Sequence, residues 1–178
     1  MSDIEKLLAF PLDEDCFFRR ECPFCIKEFK VLVTKEELTD LSQKGIDSFM
    51  LDQEEEYNKE SEEDFSEKEF FCPYCGQSSS IDSWWTKEQL AYIQMVVENI
   101  MANLLNENLI KPLKRDINKP NSPLRFEGKL LEQHEHWISH EKNDMKIIEL
   151  PCCQRNIKIE DDWNKEIYCF FCGFPHNQ

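Results

Sequence analysis

Eight of the nine cysteines in this 178-residue chain fall into a pattern that dictates which distant segments must meet. They form three Cys-x-x-Cys pairs and one doublet: Cys22-Pro23-Phe24-Cys25, Cys72-Pro73-Tyr74-Cys75-Gly76, Cys152-Cys153 and Cys169-Phe170-Phe171-Cys172-Gly173. A Cys-x-x-Cys turn points two sulfurs at one centre, and a glycine after it lets the backbone fold under that centre at positive φ. Two such turns supply the four thiolates of a tetrahedral site. One pair alone would fit a redox motif equally well. Three pairs and a doublet specify two structural metal sites, one from Cys22, Cys25, Cys72 and Cys75, the other from Cys152, Cys153, Cys169 and Cys172. Two structural Zn²⁺ ions are the expected occupants, because soft thiolates suit that ion.

The same cysteines bound the compartment. In a reducing, cytoplasmic setting clustered cysteines mean metal and not disulfides. Met1-Ser2-Asp3-Ile4-Glu5-Lys6 lacks the basic-then-apolar plan of a signal peptide. The apolar-rich stretch from Tyr92 to Leu105 is interrupted by Gln94, Glu98, Asn99 and Asn103, so no membrane span is expected. Cys16, the odd cysteine, is expected as a small buried residue. The formal net charge is −15, and each dication held by four thiolates deepens it. Such a field repels nucleic acid and favours a basic partner.

Along the chain, Ile4, Leu7 and Leu8 suggest a first helical turn docked on the body. Phe17–Glu21 and Phe29–Val33 read as strands on either side of the first cysteine pair, a hairpin bent around metal. Thr34 and Glu37 have capping-box spacing and predict a short helix over 35–43. From Asp52 to Glu69 ten acidic residues stand against two lysines, which reads as a solvated excursion. Phe70 and Phe71 deliver the second pair, and Gln77 to Ser83 reads as a polar loop. Thr86 and Gln89 form a second capping box. Leu90, Ile93, Val97, Ile100 and Leu104, widened by Val96, Met101 and Leu105, then predict an amphipathic helix from 87 to about 110, ended by Pro112. Lys111, Lys114, Arg115, Lys119 and Arg125, among three prolines, read as a basic linker. His134, His136 and His140 cluster around Trp137, but the cysteines already suffice as ligands.

The chain also repeats itself. Cys25–Val31 aligns without gaps to Cys153–Ile159, and Glu69–Gly76 to Glu166–Gly173. Each half therefore reads as strand, knuckle, strand, connection, strand, knuckle, the sign of a duplicated module. One departure stands out: Leu150 occupies the place of Cys22, and Cys152 sits beside the matched Cys153. Adjacent side chains of an extended backbone point to opposite faces, so joint ligation by the doublet requires a turned backbone. The alternative replaces one of the doublet with His176.

At these residues the sequence resembles the zinc-ribbon group, and its arrangement is similar to small bacterial double-zinc-ribbon proteins of unassigned function. Cys-Pro-x-Cys-Gly is also similar to the knuckle of rubredoxins, where iron replaces zinc. The resemblance covers about half the chain and implies docking modules for protein or nucleic acid. With the helix, which lies outside the resemblance, the expectation is an α+β fold of two small zinc-ribbon β modules joined by a long amphipathic helix. The expected segments are 1–85, an N-terminal ribbon with a long acidic insertion; 86–126, the helix and basic linker; and 127–178, a compact C-terminal ribbon.

Nothing in the sequence singles out catalysis. The four glycines make no phosphate-cradling loop, no His-Glu-x-x-His is present, and a fully thiolate-ligated ion has no open position for water. The expectation is a noncatalytic, metal-stabilised adaptor that mediates protein–protein interaction or self-association through helix 87–110. Trp84, Trp85, Trp137 and Trp163 are candidate interface anchors. A nucleic-acid-binding ribbon using the basic stretch and a rubredoxin-like iron carrier are the alternatives.

Overall fold

Aromatic and β-branched residues on both sides of the first cysteine pair extend into β1 (Phe17–Glu21) and β2 (Glu28–Leu32), an antiparallel hairpin. The second repeat builds the same hairpin from β5 (Lys146–Leu150) and β6 (Arg155–Ile159). In the computed structural model, which describes residues 10–34, 37, 69–119, 123–134 and 138–177, β2 also pairs with β6. The result is one four-stranded antiparallel sheet of order β1-β2-β6-β5. Two small hairpins complete the β structure: β3 (Phe70–Phe71) with β4 (Ser78–Ser79), and β7 (Ile167–Tyr168) with β8 (Pro175–His176). The stretch read as a polar loop thus holds β4 and a single 3-10 turn, Ile81–Ser83.

The pairing register reveals how the repeats relate. Lys30 lies opposite Lys158, and these are equivalent positions of the duplicated sequence. A strand antiparallel to its own copy generates a local two-fold axis. The small hairpins obey the same axis: the Phe71 N–H donates to the Phe170 carbonyl at 2.9 Å, and the Tyr168 N–H donates to the Pro73 carbonyl at 2.9 Å. Phe71 aligns with Tyr168 and Pro73 with Phe170, so the two bonds are one contact made twice.

Strand alternation sorts the residues of the sheet. On one face Phe29, Val31, Leu150, Ile157 and Ile159 join Cys22, Cys72, Cys169, Trp84 and Phe170 in a core drawn from both repeats. Phe170 stacks on Phe70 at 4.9 Å between ring centroids and meets Phe29 and Trp84 edge-on or tilted. Tyr74 closes the junction, its hydroxyl donating to the Glu28 carbonyl and accepting from the Glu160 N–H. A second cluster, Phe10, Phe18, Trp85, Tyr92, Ile93 and Val96, seats the helix.

The other face holds a problem set by the axis. Lys30 and Lys158 are like charges directly opposite one another, which destabilises a sheet, and both are fully buried. Segments outside the repeat supply the counter-charges. Lys158 pairs with Asp13 at 2.8 Å and Asp15 at 2.6 Å, and Lys30 with Glu141 at 2.9 Å, Asp144 at 3.1 Å and Asp13 at 3.2 Å. Burial pushes the Asp13 carboxyl up, but hydrogen bonds from Lys158, the Phe17 N–H and Lys30 outweigh it and hold it below the usual range. Arg20, on the core face, is the opposite case. Its guanidinium is wholly buried with no hydrogen-bond partner among the described residues, resting 4.9 Å from the Phe18 ring and 5.0 Å from the Trp85 ring. Burial lowers its pKa to about 9.

The helix runs further than its sequence suggests. α1 (Lys87–Leu105) starts at the predicted capping box, Thr86 Oγ1 accepting from the Gln89 N–H and the Gln89 side chain accepting from the Thr86 N–H. A π-helical turn, Asn106–Ile110, then leads into α2 (Lys111–Ile117), making 31 continuous helical residues. Pro112 does not end it. The Lys111 N–H donates to Asn106, five residues back, and this widened turn sits where the proline ring must be accommodated. Half of the expected linker is therefore helical.

Three asparagines hold the returning chain against the helix. Each amide both donates to and accepts from one backbone unit: Asn99 with His134, Asn106 with Leu131, and Asn118 with Phe126, at 2.7 to 3.1 Å. This rotates the buried face from the expected one. Gln89, Tyr92, Ile93, Val96, Ala102 and Asn106 point inward, while Leu90, Met101, Leu104 and Leu105 are exposed.

Other expectations are corrected. Cys16 is exposed, not buried. It adopts φ 65 in a turn where Asp13 accepts from the Phe17 and Asp15 N–H groups, and that turn leaves its side chain outside. Trp84 and Trp85 are core residues. Thr34 and Glu37 make the expected reciprocal cap. The remainder of helix 35–43, the first turn at Ile4 to Leu8, the acidic run 52–68, His136 and Trp137 lie outside the described residues.

Replacing Asp13 by Ala removes the carboxylate that the two buried lysines share while leaving each its other partners, and should cost about 1.5–3 kcal/mol, read from urea unfolding at neutral pH. A depressed carboxylate gives stability that is complete above its unfolded pKa and lost as pH falls through its folded value. The variant's stability should accordingly fall less steeply below pH ~4 than that of the parent. Arg20→Met exchanges a buried charge with no hydrogen-bond partner among the described residues for an apolar chain and should raise stability by about 1–3 kcal/mol. A lower midpoint would show that Arg20 has an essential partner.

Candidate metal centres

Each cysteine pair sits in a knuckle with its own hydrogen bonds. The Cys22 N–H donates to the Lys27 carbonyl and the Ile26 N–H to the Cys22 carbonyl; Cys72, Gln77 and Gly76 repeat this, as do Cys169, Phe174 and Gly173. The turn closes through a residue at positive φ, which is Ile26 (59), Gly76 (70) or Gly173 (72). The glycines serve a second purpose across the axis. A Cβ on Gly76 would lie 3.2 Å from the Tyr168 ring, and one on Gly173 would lie 2.9 Å from the Phe71 ring.

The knuckles bring the expected residues together in two groups, Cys22, Cys25, Cys72, Cys75 and Cys152, Cys153, Cys169, Cys172, the ligand atoms of each lying within 4.8 Å of one another. Bonds of about 2.3 Å in a tetrahedron place sulfurs about 3.8 Å apart. Cys22 and Cys75 are 3.8 Å apart, Cys25 and Cys72 3.7 Å, and Cys152 and Cys172 3.6 Å. The donors therefore fit a four-coordinate ion. Backbone N–H groups already favour anionic sulfur: Phe24 and Cys25 point at Cys22 Sγ, and Tyr74 at Cys72 Sγ, all at 3.4 Å. His134 and His140 belong to neither group.

The fourth knuckle explains the doublet. Leu150 fills the place of Cys22 and is wholly buried like it. Gln154 keeps the left-handed conformation of its counterpart Ile26, at φ 51. The turn through 151–154 swings Cys152 round to the side of Cys153, which supplies the turned backbone that joint ligation requires. His176 lies alongside, Nε2 3.1 Å from Cys152 Sγ. The centres differ in setting. Cys22 and Cys72 are buried in the first, whereas Cys152 and Cys172 of the second are exposed.

Crowding shifts the thiols of both groups. Burial first, then hydrogen-bond contact with neighbouring sulfurs, pushes the Cys25 and Cys169 thiols up to about 11. Cys153 rises to about 11, chiefly through its contact with the Cys172 sulfur, and burial drives Cys72 up further. One sulfur in each group is held low. For Cys22 burial acts upward, yet the Cys25 and Phe24 N–H groups prevail; for Cys172 the Phe174 N–H leads.

Comparison of the chain with protein-family models, with curated proteins and with solved structures found no match. The metal-centre geometry thus stands on these residues alone. Among the described residues no helix is long and apolar enough to cross a membrane.

Ligand thiols must lose their protons to hold a dication, so affinity falls as pH falls. Acidifying the zinc-loaded chain should release the ion of the exposed centre at higher pH than that of the buried one, followed with a chromogenic chelator. Near-UV circular dichroism should fall more with the second release, because the first centre sends two ligands, Cys22 and Cys72, into the core and the second centre only Cys169. Simultaneous release with no change in dichroism would contradict this ordering.

Proposed function

We propose that this chain is a noncatalytic binding module in which two structural zinc ions hold back-to-back ribbons, and the long helix offers an apolar stripe to a protein partner or a second copy. The observation that carries this reading is the outward side of the helix. Leu90, Met101, Leu104, Leu105 and Leu109 lie exposed there, Leu109 by 50%, although an inward face already satisfies the core. Met101, Leu104, Leu105 and Leu109 follow one another at helical spacing and gather on one side, with Leu90 standing apart near the start, and gathered apolar residues, unlike scattered ones, mark interaction surfaces.

Charge supports the same surface. Lys111, Lys114 and Arg115 follow the stripe at the helix end, in a chain of net charge −15. Two copies laid antiparallel would set the basic end of each against the acidic body of the other. Zinc is the proposed ion because all-sulfur tetrahedral sites suit it and need no redox chemistry. With every position filled by sulfur there is no place for a reacting water, which favours a structural role.

Sedimentation velocity with parallel metal analysis tests the reading. The expected result is two copies per particle, or a defined complex with a partner, each chain holding two zinc ions. Leu104→Glu combined with Leu105→Glu should return the chain to a monomer without loss of either ion. A parent chain that stays monomeric at high concentration, and binds no partner that the double variant fails to bind, would overturn the reading.

A further inference from the structure

Because the two centres are copies, the first serves as an internal control for the second. In the first, the leading ligand Cys22 is wholly buried and the position matching His176 is Ser79, whose side chain offers no nitrogen. In the second, buried Leu150 has displaced that ligand, and the fourth sulfur comes from Cys152, which is exposed. Cys152 Sγ is 3.6 Å from Cys172 Sγ and 3.1 Å from His176 Nε2. The four sulfurs already fill a tetrahedral ion, and a nitrogen donor stands just outside them, against the most weakly anchored one.

We propose that His176 is a reserve ligand of the second centre and Cys152 its exchangeable thiolate, so that the Cys152 sulfur can be modified while the ion stays in place. The inference rests on the metal reading given above. β8 pairs His176 with Ile167, and the Phe174 ring braces the imidazole at 5.3 Å. The ring is thus held beside the sulfur it would replace. Solvent reaches Cys152 and Cys172 alike, and exposed thiolates are the ones that react, but of the two it is Cys152 that has a nitrogen donor against its sulfur. Exchanging a thiolate for a neutral imidazole also removes one negative charge from an already acidic chain.

The step balances with a simple alkylating agent. The Cys152 sulfur forms a bond to the methylene carbon of iodoacetamide, and iodide leaves with the electron pair of the broken carbon–iodine bond. The product is a neutral thioether, a weak donor. His176 would then offer Nε2 to the ion in place of that sulfur.

Two measurements on the full chain test this. In the first, Cys152→Ser, His176→Ala and the double variant are loaded with Co²⁺, and bound metal is counted together with thiolate-to-metal absorbance. Cys152→Ser should keep two ions while losing the absorbance of one thiolate in eight, and the double variant should keep one. Cys152→Ser with one ion, or the double variant with two, would overturn the proposal. In the second, which needs no cysteine variant to fold, iodoacetamide is applied to the zinc-loaded parent and to His176→Ala, with the modified residue mapped by mass. Cys16, an exposed thiol outside both groups, reacts in both chains and is counted apart. Of the eight ligand cysteines Cys152 alone should be alkylated first, with the parent retaining two ions and His176→Ala losing one. Equal loss from both, or first reaction at a ligand cysteine other than Cys152, would overturn it. A parent chain that binds fewer than two ions before any treatment would remove the metal reading itself.

Discussion

A strand paired antiparallel with its own copy brings one residue face to face with its duplicate, and here that residue is a lysine. The β2–β6 junction sets Lys30 against Lys158 in the interior. The rest of the sheet depends on cancelling that repulsion. The cancellation comes from the Asp13–Asp15 turn before the first repeat and from Glu141 and Asp144 before the second. Two segments that look like leaders in the sequence are therefore parts of the sheet's electrostatics. The positive φ of Cys16 belongs to the same device, since it closes the turn that aims Asp13 inward.

The centres and the repeat were legible because ligand chemistry is local. A knuckle announces itself within five residues, and two gapless alignments announce its duplication. The buried cations were not legible. Lys30 and Lys158 alternate along their strands as solvent-facing residues do, and only the cross-repeat register places them inside; Arg20 is covered on the other face by Phe18 and Trp85. The asparagine clamps were hidden for a related reason. Asn99 reads as an interruption of an apolar face, but its amide presents the same donor and acceptor as a peptide bond, and so does that of Asn106. Pro112 misled because proline's missing N–H normally ends a helix; the π turn before it absorbs that loss.

The helix thus divides its circumference between two duties. Polar amides fix the returning chain and aromatic residues meet the sheet, so the core is satisfied with the leucines left over. Had the apolar positions all turned inward, as their spacing alone suggests, there would be no surface on which to base a binding role. The proposed adaptor function follows from this rotation more than from the metal centres, which organise the body that carries the helix.

The reciprocal bonds between the two knuckle hairpins, Phe71 to Phe170 and Tyr168 to Pro73, have the form of a homodimer contact, one patch meeting itself. In separate chains such a contact would dissolve on dilution. Joined in one polypeptide, the halves meet at an effective concentration fixed by the intervening chain, so their union no longer depends on how much protein a cell contains.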